Sequence, residues 1–306
     1  MRDDVNVAPR QSSATRWAVL ARGIDIDAQI GAWAMLRPAT HFAYEFVRFG
    51  VKQAWACLFG ALMLALLIAT HFFYPKWAYL ARYDFLTLGA VAIQFAMLKF
   101  KLETREEVGV ILLFHIVGTA MEIFKTHVGS WVYPEASVLR IAGVPLFSGF
   151  MYAAVGSYIA RCWRLFDFQF TRHPPLWALG VLGLAIYVNF FAHHYVWDLR
   201  PLLFAATAVL FARCWIHFKV WQVHRRMPLL VGFGLVALFI WFAENIGTFT
   251  AAWVYPTQKT AWHMVSFGKL GAWFLLMIIS YALVAALHGV KRYEGAPLAL
   301  FQRQRE

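Results

Sequence analysis

Charge is scarce in this 306-residue chain: 14% of residues are charged and only 16 are acidic, against 61% apolar. That balance excludes an ordinary soluble domain, in which about a quarter of the residues carry charge. Cysteine is scarce too. Cys57, Cys162 and Cys214 include no CxxC pair, which leaves no disulfide framework or cysteine zinc site to read. Histidines are present but lack an H-x3-H or H-x-x-E-H pattern, so no metal site is expected. The first 40 residues have no continuous apolar segment. With Asp3, Asp4 and Gln11-Ser12-Ser13 they read as a loose cytoplasmic arm rather than a cleaved signal peptide.

What the chain has in abundance is apolar runs of helical length. Eight recur, at 53–73, 84–100, 107–124, 141–161, 175–192, 200–218, 228–248 and 265–288. About 17–25 apolar residues suffice for a helix to cross hydrocarbon, and the runs lack the ten-residue alternation of a membrane β-strand. The fold class read from this is all-α, a polytopic transmembrane bundle of eight helices. With the N-terminus inside, 21 of the 28 basic residues fall on cytoplasmic segments. The positive-inside rule then puts both termini in the cytoplasm, with the bacterial inner membrane as the expected location. The net charge of +12 is thereby explained by topology, and no nucleic-acid partner is expected. The lipid bilayer is the partner the composition does imply. Residues 28–50, with Trp33, Phe42, Tyr44 and Phe46 among Arg37 and Arg48, suit a segment lying along the inner membrane surface.

One motif occurs twice. Glu122 precedes Trp131-Val132-Tyr133-Pro134 by nine residues, and Glu244 precedes Trp253-Val254-Tyr255-Pro256 by nine. At the same offset of 122, His71 matches His193 and Thr126 matches Thr248; one residue of slippage aligns Ser157-Tyr158 with Ser280-Tyr281. Helices 1–4 thus correspond to helices 5–8. An even number of helices separates the copies, which predicts a parallel 4+4 internal repeat. The expected division is an arm over 1–45, repeats over 46–161 and 162–290, and a basic tail over 291–306.

Topology gathers the unusual ionisable residues at the outer ends of the helices, while the cytoplasmic ends carry ordinary Arg and Lys. Glu122 and Glu244 are the candidate general acid and base, with His127 or His193 as proton carriers. His71, Asp84, Lys125, Asn245 and Lys269 fall at the same depth and are candidate substrate-binding groups, with Trp131, Tyr133, Trp253 and Tyr255 as aromatic walls. Each has a plainer role. A carboxylate at the interface can cap a loop or pair with Lys125 or Lys269, and Trp and Tyr favour the interface in any membrane protein. His115, Thr119, Glu122 and Thr126 form one polar stripe, where His115 reads as a packed histidine bonded to a neighbouring helix. Pro145 is expected in the first turn of helix 4.

The stretch from Phe114 to Tyr158, with WFAENIGTFTAAWVYP at 241–256, RYDFL at 82–86 and LETREE at 102–107, resembles the domain-of-unknown-function 817 family of bacterial membrane proteins. The resemblance covers about residues 45–290 and implies no activity, cofactor or catalytic residue. Three function classes follow. The first is a membrane enzyme using acid/base chemistry on a lipid, isoprenoid-like or other small hydrophobic substrate. The second is a small-solute or proton-coupled transporter, which would place ionisable groups near the midplane and break its helices there. Helices 3 and 7 contain no internal proline, which favours the first. The third is a non-catalytic membrane scaffold, favoured if Trp and Tyr fill the outer cavity.

Overall fold

The computed structural model describes residue 31 and residues 38–75 and 77–294. The expected N-terminal arm therefore lies mostly outside the described residues, as do Trp33, Arg37 and the basic tail from 295 onward. Nine α-helices run through the described residues: α1 Pro38–Ala56, α2 Leu58–Phe73, α3 Arg82–Lys99, α4 Arg105–His127, α5 Phe147–Leu165, α6 Leu176–Ala192, α7 Arg200–Phe211, α8 Leu229–Phe249 and α9 Phe267–His288. By length and composition three can cross a membrane: Glu106–His127, Leu229–Phe249 and Phe267–His288. A fourth is added if Ala39–Ala56 and Leu58–Phe73, interrupted at Cys57, count as one span.

Two of the eight expected helices are partly something else. The run 141–161 begins as a hairpin, with β1 Arg140–Ile141 antiparallel to β2 Val144–Pro145. Ala142 and Gly143 form its two-residue turn with φ of 48° and 83°, the left-handed pair a tight hairpin needs. Pro145 therefore sits in β2 and not in the first turn of a helix, which begins at Phe147. The run 200–218 stops being helical at Phe211, and Trp215–Lys219 becomes β4. Twelve residues of helix rise only about 18 Å, too little for hydrocarbon. The β-branched and aromatic Trp215-Ile216-His217-Phe218 suits a pleated surface. β4 is central in a sheet ordered β3 (Gln169–Thr171), β4, β5 (His224–Pro228), all antiparallel. Near the end of the described chain, Phe170 donates to the Lys291 carbonyl and accepts from Tyr293 N–H, both at 2.9 Å. The Tyr293 ring lies flat on His217, with centroids 3.7 Å apart.

Small residues bring α4 and α5 together. Phe114 packs over Gly156, Tyr152 over Gly118, and His115 and Thr119 over Gly149. Close approach of this kind replaces the hydrophobic driving force that is missing between helices in lipid. His115 is thus packed, against the Phe150 ring at 4.4 Å, but its buried Nδ1 has no hydrogen-bond partner among the described residues.

The start of α4 overturns the expectation that this end of the bundle carries only ordinary basic residues. Thr104 and Glu107 form a reciprocal capping box, with bonds of 3.2 and 2.8 Å, and Glu107 also accepts from Arg164 Nε at 2.9 Å. Beside it, the fully buried Arg161 donates to the Trp55 and Leu102 carbonyls at 2.8 and 2.9 Å and faces Glu103 at 3.4 Å. Glu103 accepts in turn from Gln94 and Ser157, at 2.5 and 3.0 Å. Arg161 is a structural ion-pair member rather than a loop charge.

Candidate functional site

The two E-x9-WVYP segments are built alike. Each glutamate lies in the last two turns of a long helix, and the chain folds back so that its own Trp and Tyr reach it. Glu122 Oε2 accepts from Trp131 Nε1 at 2.7 Å and from Tyr133 Oη at 2.6 Å. Glu244 Oε1 accepts from Trp253 Nε1 at 3.0 Å and from Tyr255 Oη at 2.5 Å. The second turn-back is possible because Trp253 lies over Gly247, where any Cβ would meet the indole ring. The two corners also pair with each other. Val132 N–H donates to the Val254 carbonyl at 3.0 Å, and Val254 N–H returns a bond to Val132 at 2.9 Å. Trp131 and Tyr255 meet edge to face at 6.0 Å.

Both carboxyl groups are buried, and the Val132–Val254 pairing holds their corners together. Their remaining surroundings differ. Glu122 Oε1 accepts a third bond at 2.8 Å from Tyr152 of α5. Glu244 instead feels the charge of Lys269, whose Nζ stands 4.3 Å from the Tyr255 ring centroid and 5.6 Å from that of Trp131. Burial first, and then the adjacent glutamate, push the Tyr133 and Tyr255 phenols well above their ordinary range. Both phenols therefore stay protonated and donate.

The matched ends of α4 and α8 can now be set beside known sequences. A family model described as Protein of unknown function (DUF817) matches residues 45–281, a span that holds both corners and Lys269. The chain belongs to the DUF817 family. It is also similar to a protein of Bacillus subtilis (strain 168) described as Uncharacterized protein YoaT, 44% identical over 247 residues that cover 81% of this chain and 93% of that one. No solved structure matches it.

The other site candidates of this DUF817 chain do not converge on the glutamates. His127 is exposed, beyond the turn that holds Glu122, and His193 is occupied by the Asn189 carbonyl at 2.9 Å and by a tilted ring contact with His194 at 4.2 Å. Neither bonds to a glutamate among the described residues. Lys125 points away to His194 Nε2 at 2.9 Å and to the Phe190 ring at 4.1 Å. Burial, and then the Lys125 charge, hold His194 below its ordinary range, so the neutral ring accepts. Asn245 bridges the Trp241 carbonyl and Val265 N–H, and thereby fixes the return of the chain to α9. His71 bonds the Thr250 carbonyl at 3.2 Å in a separate cleft.

Asp84 has a structural occupation as well. It accepts from Val138 N–H at 2.9 Å and from Leu139 N–H at 2.6 Å, and so pins the start of the β1–β2 hairpin to α3. Asp84→Ala would take the acceptor from two backbone donors. Val138 is exposed and water can take its N–H, so the expected loss is about 1–3 kcal/mol, the cost of the one part-buried donor at Leu139. Thermal unfolding in detergent measures it.

Three functional candidates were missed from the sequence. Tyr152 bonds Glu122 from 30 residues away, and its counterpart is Phe274 at offset 122 or Leu275 at the offset of 123 that aligns Ser157-Tyr158, neither a tyrosine. Arg82 and Glu135, which form an ion pair at 2.6 Å, sit outside the repeated motif.

Proposed function

We propose that this DUF817 protein is an integral protein of the bacterial inner membrane that works on a lipid or isoprenoid-like molecule by acid/base chemistry at Glu122. The observation that carries this reading is the position of Tyr152. Its side chain lines an apolar crevice between α4, α5, α8 and α9, with Phe114, Gly118, Met277 and Trp273 among its walls, while its hydroxyl donates to Glu122. A crevice of about 30 Å³ holds no more than a methylene or a water, so the substrate enters by parting these helices. Glu122 then exchanges a proton with the substrate through the Tyr152 hydroxyl. Glu244 holds the second corner, with the Lys269 side chain near it. The indole of Trp273, on the crevice wall, suits stabilisation of a developing cation.

The same proposal includes the architecture inferred from the sequence: two four-helix repeats over 46–161 and 162–290, parallel, with both termini cytoplasmic and the corners at the outer face; it requires the bilayer to thin locally around the 12-residue α7. The reciprocal Val132–Val254 pair and the identical Glu–Trp–Tyr bonding support a duplicated unit. The exposed Phe42, Phe46, Val47 and Val51 of α1 support an in-plane inner-surface segment.

A non-catalytic scaffold is the second reading. One observation favours it: Trp and Tyr fill the space around both carboxyl groups, and each glutamate is satisfied by its own corner. Lipid retained through purification separates the two. Glu122→Gln and Tyr152→Phe are each expected to lower retention about tenfold, the equivalent of one hydrogen bond of about 1.4 kcal/mol, with Glu244→Gln less affected. Equal retention by all three variants and the parent would leave the scaffold.

A further inference from the structure

A second polar recess lies beside the corners. It is an open cleft of about 380 Å³, lined by Thr70, His71 and Tyr74 of the α2 end, Arg82 of α3, Glu135, and the Thr250–Ala251 turn after α8. That volume falls within the range of small-molecule sites. Its floor is a mixed charge pair. Arg82, whose side chain is only 9% exposed, donates through Nη1 to Glu135 at 2.6 Å, through Nη2 to the Thr250 carbonyl at 2.8 Å and through Nε to Thr70 Oγ1 at 3.3 Å. A guanidinium has five N–H donors, so two remain. Glu135 is 35% exposed, and its bond to Arg82 uses one oxygen, which leaves the other as an acceptor.

We propose that this cleft receives a zwitterionic head group, a phosphate ester carrying a primary amine. A simple anion brought to Arg82 would face the Glu135 carboxylate, and a simple cation at Glu135 would face the guanidinium. A ligand with both charges satisfies the spare N–H donors and the spare carboxylate oxygen without breaking the pair. The rim argues for a membrane source. Phe72, Phe73, Trp77 and Tyr79, on the segment that forms one wall of the cleft, are exposed, and so is Phe249, which meets His71 and Phe72. Aromatic side chains of this kind settle at the head-group level of a bilayer. Such a ligand can come from a phosphatidylethanolamine or from a soluble phosphoethanolamine ester.

The cleft does not share its residues with the Tyr152 crevice. Tyr83, whose hydroxyl meets the Ala251 carbonyl at 3.3 Å, and Tyr133 stand between the cleft floor and Glu122. Failure here therefore leaves the acid/base reading untouched, and the converse holds.

The test is native mass spectrometry of the delipidated full-length protein in detergent, offered equal amounts of phosphatidylethanolamine and phosphatidylglycerol. At least a fivefold excess of the phosphatidylethanolamine adduct is expected. Glu135→Gln, at a partly exposed position, is expected to elute as the folded parent does and to bring the ratio to about one. Glycerophosphoethanolamine added alone decides the source: an adduct as abundant as the lipid's assigns a solute, and a much weaker one assigns the membrane. Equal adducts of the two lipids on the parent, or an unchanged ratio in Glu135→Gln, would overturn the proposal.

Discussion

Arg161→Met should cost the folded protein about 3–5 kcal/mol, the loss typical when one partner of a buried ion pair is removed. Arg161 is fully buried, and it is held by two carbonyls and Glu103 at 3.4 Å. Methionine fills much of its volume but leaves the Glu103 charge buried without a cation and two carbonyls without donors. The bonds from Gln94 and Ser157 remain, and they do not neutralise the charge. Adding Glu103→Gln removes that charge and keeps an acceptor for Ser157, so the double variant should be more stable than Arg161→Met alone. Thermal unfolding of the four proteins in detergent gives the coupling energy. Strict additivity of the two substitutions would show that the pair is not coupled.

Trp253→Ala should be comparably damaging, at about 3–5 kcal/mol, the range for truncating a large buried aromatic. The indole is buried over Gly247 and donates to Glu244 at 3.0 Å. Trp253→Phe separates the two contributions. It keeps most of the ring and removes the donor, for an expected loss of about 1–3 kcal/mol. The same pair of substitutions at Trp131 should cost less, because Glu122 keeps both Tyr133 and Tyr152 as donors whereas Glu244 keeps Tyr255 alone. Unfolding midpoints measured side by side check the order. If Trp131→Phe proves the more harmful, the third donor on Glu122 carries no weight.

The corners were legible in the sequence because their chemistry is local. Glu, Trp and Tyr lie within eleven residues of one another, and repetition at a fixed offset marked them out. Both glutamates were named, and so were the indoles and phenols that turn out to hold them. What could not be read was direction. Lys125, Asp84 and Asn245 lie at the right depth, but each side chain is turned toward a backbone group or a histidine and away from the carboxyl groups. Depth along a helix follows from counting, whereas the angle about its axis depends on which neighbour it packs against.

The errors at 141–146 and 212–218 have another cause. Hydropathy windows average over any short strand, and an apolar strand scores as an apolar helix does. The hairpin turn was hidden because Ala142 takes the left-handed position that Asn or Gly more often fills. Arg161 was misread for a related reason. A cation near a helix end is counted as a topology marker wherever its side chain goes, and the acidic partner that buries it, Glu103, is 58 residues away.

The small sheet at the other end of the bundle implies an order of assembly. Its strands come from residues 169–171 and 215–228, and its open edge at β3 is covered by residues 291–293. Contacts so far apart in the chain form late, since the intervening loops must close first. The edge of β3 thus stays bare until α9 has been made and has taken its place. An uncovered strand edge is a template for pairing with other chains. The last few described residues therefore act as a clasp: they cover the β3 edge of a sheet begun more than a hundred residues earlier, and close that one of its two edges to pairing with other chains.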